Sequence, residues 1–422
     1  MSQPSFSLME TFSLYTILGL RNIWRHPRRS LLTFLAIILG LMLFILTRGI
    51  QIGTYEKIIE KGVRTSTGYI QIHKTGYREN HSFEYIIENA DKVFQVLAQE
   101  SRIAVFSPRI TGEALVASDE GTTGAAVMGV DTEREFEVTT LSSRMKKGDL
   151  PRGKGDIIIG ERLAKNLKVA PGDELILIAN GADGSLGADR FTLSGIFATG
   201  VADFDSSVVL IGIEDADLLY SMYGAITEIV IHLKAFDFAE STAKKLSLSL
   251  GGMGMEVHSW KELLPEMVQM ISLDNIGGLV MLWFFFIVVI AVILNTILIS
   301  TLERIKEFGI MMSLGLKPSR VFFMILYEAA ILVSIGTVIG LIFSWLAGSY
   351  LEANPFSISE TVSKNMEAQG FSPLIYTKLT AGIIFSWGAG IFLASIFAAL
   401  YPAQKVARMS PLKALHPGRG EM

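Results

Sequence analysis

Cysteine is absent from the 422 residues, which excludes disulfides, thiolate nucleophiles, iron–sulfur clusters and cysteine-ligated zinc. Charged residues are scarce, at 18% of the chain, and the net charge of -4 gives no electrostatic reason to expect a nucleic-acid partner. By contrast, 50% of the residues are hydrophobic and the mean hydropathy is +0.43. A chain this apolar predicts membrane-spanning segments.

Uncharged windows in the sequence predict four membrane-spanning helices. We place them at residues 30–50, 275–301, 320–351 and 379–402. The N-terminal arginines precede an apolar run that is long enough to span, so we expect no cleavable signal peptide there.

The distribution of lysine and arginine predicts the orientation of these spans, because such residues concentrate in cytoplasmic connections. The basic residues concerned are Arg21, Arg25, Arg28 and Arg29, then Arg304, Lys306, Lys317 and Arg320, and finally Lys405, Arg408, Lys413 and Arg419. We therefore expect an amphipathic segment 1–29, the connection 302–318 and the tail 403–422 to be cytoplasmic. Residues 51–272 and the loop 352–378 are then extracytoplasmic.

Residues 51–272 predict a large α+β domain inserted between the first and second spans, so the fold class is a four-helix membrane protein with an extracytoplasmic α+β domain. The predicted strands are 69–73, 156–159, 175–178 and 207–211, and the predicted helices are 84–99, 213–223, 236–249 and 260–272. The last helix leads directly into the second span. The polar stretch from Gly181 to Asp189, including Asp183 and Leu186, predicts a hairpin tip.

Motifs for catalysis or cofactor binding are largely missing. The stretch from Gly148 to Lys154 matches the first seven positions of a phosphate-binding P-loop, but Gly155 stands where Mg²⁺ coordination needs a hydroxyl. No two of the six histidines stand at i, i+4 with a glutamate nearby. We therefore expect no catalytic residue, no metal and no cofactor in this chain.

The segment from Thr301 to Gly315 follows the second span and predicts a short amphipathic helix. Its apolar stripe consists of Leu302, Ile305, Phe308 and Met312. Such a helix could lie in the lipid headgroups, or it could dock in a groove of a cytoplasmic motor. Glu303 and Glu307 favour the motor, because anionic lipid would repel them.

Three separated motifs resemble the FtsX-like permease family, also called the MacB or type VII architecture of ABC transporters. They are Leu20-Arg-Asn-Ile-Trp-Arg-His-Pro-Arg-Arg-Ser-Leu-Leu-Thr33 before the first span, Glu303-Arg-Ile-Lys-Glu-Phe-Gly-Ile-Met-Met-Ser-Leu-Gly315 after the second, and Tyr401-Pro-Ala-Gln-Lys-Val-Ala-Arg-Met-Ser-Pro-Leu-Lys-Ala-Leu415 after the fourth. The resemblance implies an ATPase-coupling site at Glu303, Arg304, Glu307, Phe308 and Gly309. It also implies a separate cytoplasmic ABC ATPase that carries the ATP and Mg²⁺, and a second permease subunit, identical or paralogous.

Within the family, the outer domain is similar to that of the lipoprotein-releasing subunits LolC and LolE, through the stretches from Ile159 to Asp173 and from Gly195 to Ser206. The resemblance implies a permease that releases lipoproteins from the inner membrane toward the outer membrane, with a periplasmic lipoprotein carrier as a possible partner. The 181–189 loop is short and polar where LolC has a proline-bracketed apolar hook for its carrier.

Residues at the outer ends of spans one and two are candidates for a lipid-accessible substrate cleft, although their plainer role is anchoring at the membrane interface. They are Phe44, Ile45, Arg48, Ile50, Ile276, Val280 and Trp283. Glu328 and Asn295 are polar residues inside predicted spans. We expect Glu328 to pair with Arg320 or to reach the interface, and Asn295 to bridge helices.

Two other functions stay open on sequence grounds. The first is a MacB-like exporter that expels a periplasmic substrate through a tripartite duct. The second is an FtsX-like regulator that gates an external hydrolase and transports nothing.

Overall fold

The computed structural model describes residues 27–357 and 374–410, together with residues 21 and 359. Most of the predicted N-terminal segment, much of the 352–378 loop and the end of the C-terminal tail lie outside the described residues. The chain divides into two compact units. The membrane unit contains the residues up to 55, 272–356 and those from 375 onward, and the outer domain contains residues 56–271 and 357–374.

The outer domain contains both helices and strands, whereas the described residues of the membrane unit are mainly helical. The helices are α1 Pro27–Gly62, α2 Tyr77–Asn80, α3 Asp91–Ala98, α4 Thr132–Val138, α5 Glu161–Leu167, α6 Ala202–Ser207, α7 Ile213–Leu219, α8 Ala239–Leu250, α9 Trp260–Leu263, α10 Pro265–Glu303, α11 Ile305–Ser313, α12 Pro318–Ala353 and α13 Ala381–Ala407. The strands are β1 Ile70–Lys74, β2 Ile103–Ser118, β3 Gly121–Val130, β4 Met145–Gly148, β5 Asp156–Gly160, β6 Glu174–Asn180, β7 Leu186–Phe197, β8 Val208–Gly212, β9 Glu228–Leu233 and β10 Met255–Ser259.

Within the described residues, four helices, α1, α10, α12 and α13, are long and apolar enough to cross a membrane. The predicted fold class, four spanning helices with an α+β domain between the first and the second, is confirmed. A π-helical turn, Val63–Thr67, follows α1 directly. The helix of the second span begins at Pro265, so the predicted helix 260–272 is interrupted at Leu264 and its second half belongs to α10.

Glycine allows α12 to pack closely on α1. A β carbon added to Gly340 would lie 2.7 Å from Leu41 Cδ1 and 3.2 Å from Ile38 Cα, and one added to Gly336 would lie 3.0 Å from Ile37 Cδ1. These distances are shorter than ordinary van der Waals contact. The two glycines therefore serve a helix contact within this subunit.

The second spanning helix, α10, is the most exposed of the four. Only 11% of its apolar window is buried, against 39% for α1, 33% for α12 and 28% for α13. Its exposed side chains include Trp283, Phe284 and Ile287. In the single chain, α10 therefore offers a broad apolar face to lipid or to another protein.

One half of the outer domain is a βαββαβ arrangement. The units β1–α3–β2 and β9–α8–β10 form an antiparallel sheet in the order β10-β1-β9-β2. This strand order and connectivity are those of a ferredoxin-like fold. Apolar side chains such as Val93, Leu97 and Leu246 from the two helices are buried in the same core as Ile70 and Ile231 of the sheet.

The second half of the outer domain is inserted between β2 and β9 and forms a closed barrel. Its strands pair in the ring β2-β3-β8-β5-β7-β6, and β6 closes the ring by pairing with residues 115–117 of β2. β2 belongs to both halves, since its first part pairs with β9 and its last part with β6. Because closure leaves no free strand edge within the ring, the insertion folds around its own apolar interior.

A buried ion cluster stabilises the junction between the two halves. The Arg109 guanidinium on β2 donates to both carboxylate oxygens of Glu135, at 3.0 and 2.5 Å, and to Glu228 Oε1 at 3.2 Å. Arg109 Nη1 also donates to the Ser66 carbonyl, at 2.6 Å, in the π-helical turn. Burial by itself lowers the pKa of Arg109, but the two carboxylates outweigh it, so its pKa is raised and the side chain stays charged.

All four predicted strands are present, as β1, β5, β6 and β8. The helix predicted over 84–99 is wrong for its first part, because α3 begins only at Asp91. Ile87 instead forms an isolated bridge with Ile226, with backbone hydrogen bonds of 2.8 and 3.1 Å. A distant strand-like partner thus prevented the local helical pattern from forming.

Replacing Gly340 by leucine is expected to destabilise the membrane unit by about 1–3 kcal/mol, because the new side chain has no room against Leu41 and Ile38. The matched control is Gly390→Leu on α13, where an added β carbon meets nothing within 4 Å. Thermal unfolding of the full chain in detergent should show a lower midpoint for the first variant only. Equal midpoints would show that α1 and α12 do not pack as described.

Replacing Arg109 by methionine leaves the buried Glu135 and Glu228 carboxylates without their cation, and we expect a loss of about 3–5 kcal/mol in the outer domain. Hydrogen exchange of the β2 and β9 amides in the full-length chain measures this loss. The exposed Arg134→Met serves as a control. Unchanged protection in the Arg109 variant would contradict a structural role for the cluster.

Candidate functional site

The candidate site is α11, between the second and third spans, with the residues that contact it. The structure breaks the predicted continuous helix 301–315 at Arg304, whose φ and ψ are −93° and 10°, so α10 ends at Glu303 and α11 begins at Ile305. Gly315, with a φ of +95°, then lets the chain turn before Pro318 begins α12. Glu303 and Glu307 therefore lie on two different helices.

The apolar side of α11 is buried against its own chain. Ile305, Phe308 and Met312 pack with side chains from α12 and α13, namely Val321, Ile325, Ala403 and Val406. Phe308 is 0% exposed and Gly309 is also buried. Phe308, which the resemblance places in the ATPase-coupling site, is therefore enclosed by its own chain in this structure.

The opposite side of α11 is exposed and mixes apolar with charged residues. Ile310 is 51% exposed and Leu314 is 83% exposed. Lys306 and Glu307 lie beside them on the same exposed side, and Glu303 is exposed at the end of α10. Ile310 and Leu314 were missed by the sequence analysis, since the apolar stripe at helical spacing drew attention to the buried side.

The Arg304 guanidinium links α11 to α12. Its Nη1 donates to both oxygens of Glu328 on α12, at 2.8 and 2.6 Å, and its Nε donates to Glu307 Oε2 at 3.1 Å. The guanidinium carbon also lies 5.0 Å from the centre of the Phe308 ring. The partner of Glu328 is thus Arg304 and not the predicted Arg320, which is exposed.

The predicted substrate-cleft residues do not share one surface. Phe44 and Ile45 are fully buried. The Phe44 ring stacks on that of Trp387 of α13, with 4.9 Å between the ring centres. Ile276, Val280 and Trp283 are exposed on α10, and Ile50 is partly exposed. Of the predicted cleft residues, those on α10 are the most accessible in a single subunit, and Arg48 and Ile50 are partly exposed.

A polar contact joins α1 to α10 beside these residues. Arg48 Nη1 donates to Asn275 Oδ1 and to Gln51 Oε1, each at 2.5 Å. Gln51 also approaches Gly278, where an added β carbon would lie 2.5 Å from Gln51 Nε2. Arg48 therefore connects two helices in addition to any interfacial role. Asn295 is exposed on α10, so it does not bridge helices within the described part of the chain.

The predicted hairpin tip is shorter than expected. Asn180 pairs with Leu186 and Leu177 with Asp189, so Leu186 and Asp189 belong to β7 and the loop consists of residues 181–185. Hydrogen bonds from Ser185 hold the pKa of the Asp183 carboxyl below its usual value. The rest of the loop, beginning at Gly181, has no apolar hook.

The hairpin tip is tied to a second turn that the sequence analysis missed. The Ala182 amide donates to the Tyr220 carbonyl at 2.7 Å, and the Tyr223 hydroxyl donates to Asp183 Oδ2 at 3.2 Å. Tyr223 is exposed and has a φ of +54°, which is uncommon for an aromatic residue. Only tertiary structure brings these two turns together.

The P-loop-like stretch begins at the last residue of β4, and residues 149–155 form a loop that leads into a strand, β5, and not into a helix. Asp156 Oδ2 accepts hydrogen bonds from the Arg152 and Gly153 amides, at 2.9 and 3.0 Å. Amides that are already bonded to a carboxylate are poorly placed to cradle a phosphate. Within the described residues, no group of three or more histidine, aspartate or glutamate side chains could hold a metal ion.

Comparisons with known proteins cover almost the whole chain. Residues 30–247, more than half of the 422, match the MacB-like periplasmic core domain, and residues 279–411 match the FtsX-like permease C-terminal region. The chain is 24% identical to the lipoprotein-releasing system transmembrane protein LolC of Xylella fastidiosa, over 95% of this chain and 98% of that protein. It is 21% identical to the macrolide export ATP-binding/permease protein MacB of Escherichia coli, over 94% of this chain and 60% of that protein.

Among solved structures, the periplasmic region of MacB from Actinobacillus actinomycetemcomitans matches with a TM-score of 0.35 and 15% identity, over 49% of this chain and 94% of that chain. The four spanning helices, the outer domain between the first two and the two matched family regions agree with one another. The chain therefore belongs to the family of FtsX-like permeases with a MacB-like periplasmic core domain, and it is a permease of an ABC transporter.

Proposed function

We propose that this permease couples a separate cytoplasmic ABC ATPase to movement of its periplasmic domain and thereby releases lipoproteins from the bacterial inner membrane toward the outer membrane. The observation that carries the coupling role is α11, whose inner side is fixed to the bundle while its outer side exposes Ile310 and Leu314. The lipoprotein substrate is supported by the LolC relatives, whose similarity extends over nearly their full length.

The exposed side of α11 has the composition of a protein-docking surface. Ile310 and Leu314 can supply the buried apolar contact, while Lys306 and Glu307 beside them can set the register through charge pairs. Lipid headgroups suit this surface less well, because an anionic membrane repels the glutamates. We therefore assign α11 as the ATPase-coupling helix, with its docking surface opposite Phe308.

The orientation in the membrane follows from the basic residues. Lys306, Lys317 and Arg320 lie between the second and third spans, and Lys405 and Arg408 follow the fourth. We propose that both these regions and the N-terminus are cytoplasmic, which places the ATPase at α11. ATP and Mg²⁺ belong to that partner, and a second permease subunit completes the transporter.

Release of a lipoprotein needs an apolar route, because its acyl chains are stabilised in the bilayer by about 0.8 kcal/mol per buried CH₂. The exposed side chains of α10, including Ile276, Val280 and Trp283, are the surface of this chain best suited to contact them. Membrane lipid competes for the same surface, so ATP hydrolysis must supply the free energy that moves the acyl chains out of the bilayer.

A second candidate function is export of a periplasmic substrate in the manner of MacB. It is favoured by the MacB relatives, which align over 94% of this chain, and by the lack of an apolar hook in the 181–185 loop. The two functions differ in substrate and share the coupling helix. Crosslinking of a lipoprotein to α10 would favour lipoprotein release over export of a periplasmic substrate.

The double variant Ile310→Glu, Leu314→Glu should lose co-purification of the ATPase, because both side chains are exposed and would carry the apolar contact. The variant should keep the thermal unfolding midpoint of the unmodified permease. The matched variant is Phe308→Ala, which should lower that midpoint since it removes a fully buried ring. Normal ATPase recovery by the double variant would refute the proposed docking surface.

A photo-crosslinker at Val280 should capture a lipoprotein when whole cells are irradiated, because Val280 is 64% exposed on α10. In purified complexes, ATP added before irradiation should abolish this capture. The control position is Phe385 on α13, which is 71% exposed and should contact lipid only. Equal capture at both positions would indicate nonspecific lipid-phase contact. Capture at neither would reject lipoprotein release and leave export of a soluble substrate.

A further inference from the structure

The coupling helix α11 is structurally part of the third and fourth spans and is separated from the second. The helix axis is interrupted at Arg304, where φ and ψ leave the helical region. Chain connectivity alone would make α11 a continuation of α10. The break instead allows α10 and α11 to change their relative angle through rotation at one residue.

Apolar packing fixes α11 to the other two spans. Ile305, Phe308 and Met312 are buried together with Val321 and Ile325 of α12, and with Ala403 and Val406 of α13. From α10, Leu302 also packs against this cluster, but it lies next to the break and is only partly buried. Since α10 is the least buried spanning helix, it has the fewest constraints against moving alone.

The Arg304 guanidinium adds a directional bond to this packing. It donates at once to Glu328 of α12 and to Glu307 of α11, at distances of 2.6 to 3.1 Å. The side chains of Arg304 and Glu328 are only 10% and 19% exposed, so water screens their attraction weakly. Lysine could not make the same set of contacts, because its single ammonium lacks the planar fork of arginine.

We propose that Arg304 is a positioning residue that holds the coupling helix to the third span through Glu328. A push from the ATPase on α11 then moves α12 and α13 directly, and α10 follows through the hinge at Arg304. The inference rests on the proposed coupling function and deepens it, because it assigns which spans receive the motion first.

Spin labels can test this assignment, and the cysteine-free chain provides the background for placing them. One pair joins Ser313 on α11 to Phe397 on α13, and the other joins Ser313 to Val292 on α10; all three positions are exposed. In the complex of permease and ATPase in nanodiscs, ATP should change the Ser313–Val292 distance and leave the Ser313–Phe397 distance constant. A constant Ser313–Val292 distance together with a changed Ser313–Phe397 distance would overturn the proposal.

Variants of the ion pair test the role of Arg304 itself. Arg304→Ala and Glu328→Ala should each broaden the Ser313–Phe397 distance distribution, already without ATP, and abolish the ATP-dependent change in the Ser313–Val292 distance. Arg304→Lys should show a partial effect. The charge-swapped double variant Arg304→Glu, Glu328→Arg should narrow the Ser313–Phe397 distribution relative to either single variant, because it restores the pair with α12, although it places a second carboxylate beside Glu307. Loss of folding could not give this partial recovery.

The matched control is Arg320→Ala, which removes an exposed arginine from the start of α12 and should leave both distances as they were. Unmodified distances in the Arg304 and Glu328 variants, with ATPase still bound, would reject the positioning role and retain the coupling function. If the unmodified permease bound no ATPase and neither distance responded to ATP, the coupling function would fail and this inference with it.

Discussion

The pairing of a buried arginine with two carboxylates is the interaction on which both units of this protein depend. Arg109 lies between Glu135 and Glu228 in the outer domain, and Arg304 lies between Glu307 and Glu328 in the membrane unit. A charge removed from water is tolerated only when it is paired and hydrogen-bonded. Each cluster therefore holds together helices or strands that apolar packing alone would align less specifically.

The two clusters have different consequences. The Arg109 cluster joins β2, α4, β9 and the turn after α1, so it fixes the junction of the ferredoxin-like half with the inserted barrel. The Arg304 cluster lies at a break between two helices and bonds α11 to α12 through Glu307 and Glu328. One cluster lies at the junction of two halves of a domain, whereas the other lies at the break between α10 and α11.

Burial reassigns the roles expected for aromatic and apolar residues. Phe308 stands in the motif that the sequence marks as a docking segment, yet it fills the cluster between α11, α12 and α13. Phe44 is likewise buried, and its ring stacks on that of Trp387. The apolar surfaces that stay exposed include the side of α11 with Ile310 and Leu314 and the outward side of α10. Under the proposed function, the first would contact the ATPase and the second substrate, lipid or a second subunit.

The number of spans, the inserted domain and four of its strands could be predicted, because long uncharged runs and alternating apolar residues are local properties of the sequence. The family could also be recognised, since its motifs are continuous segments. The partner of Glu328, the break at Arg304 and the contact between Asp183 and Tyr223 could not, because each depends on which distant residues meet. Periodicity identifies the apolar side of α11, but only packing shows that this side faces its own bundle and leaves the opposite one exposed. The sequence by itself thus determined which segments cross the membrane, whereas the tertiary structure decided which side chains stay accessible, since burial is a property of the assembled chain.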